Sequence, residues 1–275
     1  MAIKSILVAY SGDAGGSGGL KLALQMARKY GAHLTGVVSH GPTYLERDYS
    51  RYMNAEILDI VRSRDAVEVA GIRADFEARV AAEGAGVVAE FLDLNARHGF
   101  TLAECARTYD ILVMGRRAMQ PGREHFGERP ENVALRCGRP VILVPHNYAR
   151  DRINEHAVVA WDGKRAAARA LGDAMHILET KDKVTVLTVD GAQSGATSGD
   201  DIMRLLHRHG IAAERLVRTA ARGKVAATIL EACRDVDAGL LVMGAYEHNR
   251  TMEEIFGGVT RDLMEDAPLP VLMSH

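Results

Sequence analysis

Short, unbroken apolar runs alternate with longer stretches of helical period along this chain. In the second half the runs cover residues 157–160, 183–189, 213–218, 239–243 and 270–273, and the stretches between them cover 165–179, 200–209, 224–234 and 256–265. Continuous Val/Leu/Ile runs, rather than alternating ones, suit strands of a parallel sheet covered on both faces. Strands alternating with helices make βαβ crossovers, so the pattern predicts a doubly wound α/β sheet of five strands and four helices. Gly210, just past the second helical stretch, supplies a stop signal for it.

The first half carries the same pattern. Leu112-Val113-Met114-Gly115 recurs unchanged as Leu241-Val242-Met243-Gly244. The run from Ile6 to Gly12 has its counterpart in Ala157 to Gly163, and Arg139-Pro140-Val141-Ile142-Leu143 answers to Leu269-Pro270-Val271-Leu272-Met273. Three matches in one order predict two tandem modules, 1–147 and 156–275. The boundary falls in the polar neighbourhood of Asn147, Arg150, Asp151, Arg152 and Asn154. The first module is longer by about two dozen residues, which lie around 41–83 and are entered through Gly41-Pro42. There Ile57, Val61, Val69, Ile72, Phe76 and Val80 keep near a 3.6-residue period, broken by the charged Ser63-Arg64-Asp65. This predicts one long helix or two short ones, packed on its own sheet or offered to another subunit.

Composition narrows the classes. At 275 residues, with 47% hydrophobic and 25% charged positions, the chain is long and apolar enough for sizeable cores. A net charge of −2 gives no general attraction to nucleic acid or an anionic membrane. No apolar run approaches the roughly 20 residues of a membrane span. Cys105, Cys137 and Cys233 are scattered and read as buried thiols of a reducing compartment, which with the absence of a signal-peptide pattern points to the cytoplasm.

In a doubly wound sheet a ligand binds at the carboxyl ends of the strands, where the strand order reverses. In the second module those positions are Ala160, Trp161, Asp162 and Gly163, with Val189 on the neighbouring strand, and the segment from Gly244 through Arg250 to Gly257, Gly258, Val259 and Thr260. Adjacent glycines entering a helix let backbone N–H groups approach an anion, and the helix N-terminus adds partial positive charge. Arg250 can add a charge, Thr260 a hydroxyl, and Asp162 an acceptor for a base or ribose donor; Trp161 is a base-stacking or a core residue. The first module has Ser11 where the second has Asp162, and after Gly115 no Gly-Gly enters the next helix, which begins near Pro130. Arg116, Arg117 and Arg123 there read as solvated charge or an anion site. The glycine-rich 11–19 segment superficially resembles the loop of ATP pyrophosphatases but departs from it at the second glycine and the Asp-Ser pair. It reads as a flexible loop with Ser17 near the N-cap of the next helix. His207 and His209 stand two apart and share no helix face.

Gly244 to Thr260, followed by Pro268-Leu269-Pro270-Val271, resembles the C-terminal signature of the universal stress protein family, and Asp162-Gly163 resembles that family's first-strand aspartate. The resemblance covers both halves. It implies an adenine nucleotide alpha hydrolase-like fold in each, pairing of the last strands (141–144 and 271–274) into an intramolecular pseudo-dimer, and a non-catalytic stress sensor or regulator that binds ATP, with Mg²⁺, in its second module. The family pattern is Gly-x-x-Gly, nine residues, Gly-Ser/Thr. Here Gly244 and Gly257 match it, whereas Glu247 replaces the second glycine and Gly258 the Ser/Thr. The rival class is a nucleotide-free interaction or scaffold protein that meets an unknown protein partner through the 41–83 insert. A further homodimer stays open. An ATP-hydrolysing or adenylate-transferring enzyme would need a base or metal ligand that the sequence does not place.

Overall fold

The computed structural model describes residues 3–49, 54–95, 99–116, 123, 125–190, 199–221, 224–245 and 258–275. The elements run β1 (Ser5–Ala9), α1 (Ala14–Tyr30), β2 (His33–His40), α2 (Tyr44–Tyr49), α3 (Ala55–Glu83), β3 (Ala89–Asn95), α4 (Leu102–Ala106), β4 (Ile111–Gly115), α5 (Pro130–Arg136) and β5 (Val141–Val144). The second half gives β6 (His156–Ala160), α6 (Arg165–Leu178), β7 (Lys183–Asp190), α7 (Gly199–Arg208), β8 (Ala213–Thr219), α8 (Val225–Asp235), β9 (Leu240–Gly244), α9 (Gly258–Asp266) and β10 (Val271–Ser274). These are the strand and helix alternations that the apolar runs predict, within two residues at most ends. Gly210 has the left-handed φ of +71° expected of a helix stop.

Two compact units emerge. One holds Ile3–Cys137 and His146–Ala149, the other Gly138–Pro145 and Arg150–His275. The first unit's strands lie in the order β3-β2-β1-β4, all parallel. The second unit's order is β5-β10-β9-β6-β7-β8. Its strands are parallel except β5, the last strand of the first repeat, which pairs antiparallel with β10 through Leu143↔Val271, Ile142↔Leu272 and Val141↔Met273. The expected pairing of final strands is therefore present, and it lies inside the second unit. The middles of the central strands are buried: Ile6, Leu7, Leu112, Val158, Leu241 and Leu272 have no exposed surface.

Two local expectations are corrected. The glycine-rich 11–19 segment is a helix from Ala14, capped by Asp13, whose carboxylate accepts from the Gly16 N–H at 2.7 Å; Ser17 lies inside the helix. The reason is clearance. A Cβ on Gly115 would sit 1.8 Å from the Gly15 carbonyl oxygen, and one on Gly19 would sit 2.9 Å from the Gly115 nitrogen. Bare backbone lets α1 lie directly on β4. Likewise Ser63-Arg64-Asp65 interrupts nothing, because α3 runs unbroken for 29 residues. Ser63 and Arg64 face solvent, while Asp65 is buried, 3.1 Å from His125 Nε2. The helix packs Val69, Ile72 and Phe76 on its own unit. The three cysteines are buried, and burial pushes the Cys233 thiol up to about 12. Among the described residues no helix is long and apolar enough to cross a membrane.

Candidate functional site

The order reverses at β1/β4 in the first unit and at β6/β9 in the second, so the ends of these strands are the places to compare. In the first unit much of the place is taken by the protein's own side chains among the described residues. Tyr10, one residue past β1 and 1% exposed, donates its hydroxyl proton to Asp75 on α3 and packs edge-on against Phe76 with ring centres 5.7 Å apart. Burial and the Asp75 carboxylate both hold its phenol above the usual range. Phe76 in turn requires Gly36, where a Cβ would come within 2.4 Å of its ring. Arg123 donates to the Ser11 carbonyl at 2.8 Å and pairs with Glu68 at 2.5 Å. It is thus neither a solvated charge nor a free anion site, as the sequence allowed; Arg117 lies outside the described residues.

A strap formed by residues 125–128 covers the end of β2. Phe126 has no exposed surface and lies between His125 and His40, with ring centres 4.3 and 5.6 Å away. His40 reaches Asp93 at 2.8 Å and His125 reaches Asp65, so each imidazole is held by a carboxylate. The Gly127 N–H donates to the Ser39 carbonyl at 2.5 Å, and Glu128 accepts from the Leu102 N–H at 2.6 Å. What remains is a cavity of about 20 Å³ edged by Tyr10, Ser11, Ser39 and Glu128, room for about one water. The Glu128 carboxylate at its edge disfavours an anion. Sequence reading anticipated a site without its motif but missed the strap. The available signals were a lone Phe in a polar segment and a glycine inside β2, the mark of close approach by another group.

The second unit presents different chemistry. Ala160 ends β6 opposite Leu187, and the Trp161 N–H continues that ladder to the Leu187 carbonyl at 2.8 Å. The register Val159↔Val242 puts Trp161 level with Gly244 at the end of β9. The indole nitrogen of Trp161 and the hydroxyl of Thr188 on β7 are both buried without a hydrogen-bond partner among the described residues. Asp162 is partly exposed, and one of its carboxylate oxygens accepts from the Lys164 N–H at 3.0 Å. Gly163 turns the chain with φ +75°, and Val189 is 8% exposed near the end of β7. Gly258 opens α9 with nothing within 4 Å of where a Cβ would lie; Val259 is exposed and Thr260 half-buried. Glu247, Arg250 and Gly257 lie outside the described residues. Gly244 has a structural duty of its own: a Cβ there would come 2.4 Å from the Ala166 carbonyl carbon, so α6 needs it as α1 needs Gly115.

The family model described as the universal stress protein family matches residues 2–145 and 154–275. Among solved structures, a universal stress protein from Archaeoglobus fulgidus DSM 4304 is 16% identical, with 98% of this chain and 95% of that one covered at a TM-score of 0.69. A functionally unknown protein from Pseudomonas aeruginosa PAO1 is 16% identical, covers 99% and 92%, and superposes at 0.61. A putative universal stress protein from Pseudomonas aeruginosa UCBPP-PA14 is 15% identical, covers 99% and 93%, and superposes at 0.59. At such identities these likenesses speak to the fold. No curated protein matches the chain.

Proposed function

We propose, from the premise that the chain belongs to the universal stress protein family, that its second module is a binding module for an adenine nucleotide and its first a closed structural partner. The observation that carries this reading is a pair of donors at the ends of β6 and β7: the Trp161 indole N–H and the Thr188 hydroxyl are buried without a partner among the described residues, beside the partly exposed Asp162. A buried donor without an acceptor costs roughly 1–3 kcal/mol, which a ligand's ring nitrogen or hydroxyl would offset. In this reading Ala160, Trp161 and Val189 wall the base. Asp162, with one oxygen already engaged, accepts from the ribose or base through the other, and Gly163 shapes the turn beside it. Gly244 keeps α6 close. Gly258, Val259 and Thr260 offer N–H groups and a hydroxyl at the start of α9 to a phosphate, with Gly257 and Arg250 completing that end. Mg²⁺ would travel with ATP, held mostly by phosphate oxygens and water. The module assigns no catalytic residue and works as a sensor or regulator.

Trp161 is the sole tryptophan, so its fluorescence reports on this place alone. ATP is expected to alter that emission with a saturable dependence, Asp162→Ala to weaken the affinity about tenfold or more, and nucleotide released from the purified protein to be identifiable by mass spectrometry. No co-purified nucleotide and no binding at millimolar ATP would sink the proposal.

A further inference from the structure

The outer face of α3 has a pattern that the fold of one chain does not use. Its inner face buries Asp65, Val69, Ile72 and Phe76. Opposite them, Ile60, Val67, Gly71, Ala74, Ala78 and Ala81 face solvent, with Ile60 64% and Val67 74% exposed. With Arg64 included, the row advances by 4, 3, 4, 3, 4 and 3 residues. That spacing keeps one seam facing a partner helix along the length of the row, about 32 Å. Gly71 sits in the middle of the row with nothing within 4 Å of where a Cβ would lie. An exposed mid-helix glycine costs about 1 kcal/mol against alanine, and nothing among the described residues repays it.

We propose that this face pairs antiparallel with α3 of a second copy of the chain, about a two-fold axis beside Gly71. The row itself selects the orientation. Its bulky residues stand in the N-terminal half and its small ones in the C-terminal half, so reversal sets Ile60 against Ala81 and Val67 against Ala74 of the other copy. Gly71 meets Gly71, where two backbones come closest. The charges agree: Arg64 comes level with Ala78 of the other copy, within reach of the neighbouring Glu77. Both are exposed and neither has an ion-pair partner among the described residues. A parallel pair would stack Arg64 on Arg64 and Ile60 on Ile60. The two-fold axis makes the contact isologous, so it closes at two copies. This inference is independent of nucleotide binding by the second module.

Sedimentation of the full chain between about 1 and 100 µM reads it directly. A dimer is expected, and Val67→Glu should weaken it about tenfold or more, with a thermal midpoint equal to wild type at concentrations where both are monomeric, since Val67 is 74% exposed. Arg64→Glu and Glu77→Arg should each weaken the dimer, and together restore it to within about threefold of wild type. Gly71→Cys should be joined to its counterpart by a short bismaleimide. A wild type monomeric at the highest concentration overturns the proposal. So does a dimer indifferent to Val67→Glu and to both charge reversals.

Discussion

The ends of β1 and β6 are the same place in two copies of one fold, and they carry different side chains. At β1 the side chains of Tyr10, Phe76, Phe126 and Arg123 fill most of the space and leave a cavity of about 20 Å³, and the His125–Asp65 contact pins the strap. At β6 the Trp161 indole N–H is buried without a partner among the described residues, and Asp162 accepts from the Lys164 N–H. What both ends share is a glycine ending the strand beside them, Gly115 or Gly244, each required by the helix that follows the first strand. A duplicated fold therefore keeps the residues its backbone clearance demands, while the residues just past its first strands differ, Tyr10 and Ser11 in one copy and Trp161 and Asp162 in the other.

The sharpest way to break that equivalence is Gly115→Ala alongside Gly244→Ala. Each should cost about 4 kcal/mol or more, because the new methyl overlaps backbone rather than a movable side chain. Denaturant unfolding measures it; a neutral result at either position would show that the shared glycine is not a packing requirement. Next in size is Phe126→Ala, which removes a fully buried ring and should cost about 3–4 kcal/mol, with a matching rise in dye access to the first module. An unchanged midpoint would mean that the strap does not close that end.

The smallest effect separates the modules by pH. Ser5 and His156 occupy equivalent positions, but Ser5 and its N–H bond Asp110, whereas His156 contacts the Val236 carbonyl and the Thr185 hydroxyl, both at 2.8 Å. Burial, the largest influence, holds the His156 pKa below its ordinary 6.5. The native state thus binds fewer protons than the unfolded one between those two values. The stability this confers is full above about 6.5 and lost as the pH falls toward the folded value. His156→Gln should flatten the acid limb of a melting-temperature profile, and an unaltered limb would remove His156 from its cause.

Strand and helix placement was legible because a buried parallel strand must be apolar along its whole length, and Val158 or Leu241 shows this from sequence alone. The 11–19 segment was not, because glycine's poor intrinsic helix propensity points to a loop, and the need of α1 to touch β4 overrides it. Asp65 misled for a related reason: a charge reads as solvent-facing until the histidine that pairs with it, 60 positions along the chain, is known. The repeat made Asp162 and the glycines of the second module stand out, whereas the closure of the first depended on Phe76 meeting Gly36 and Phe126 meeting His40. Those are long-range encounters without a local signal.

The position of β5 has a consequence in time. Its partner β10 begins at Val271, more than 120 residues after β5 ends at Val144. At roughly 5–20 residues per second of synthesis, β5 waits about 6–25 s for that neighbour. During the wait Val141, Ile142, Leu143 and Val144 present an apolar edge, the kind of surface to which other chains add. The interval between making the two halves is thus the time in which this edge is open to strands of other chains.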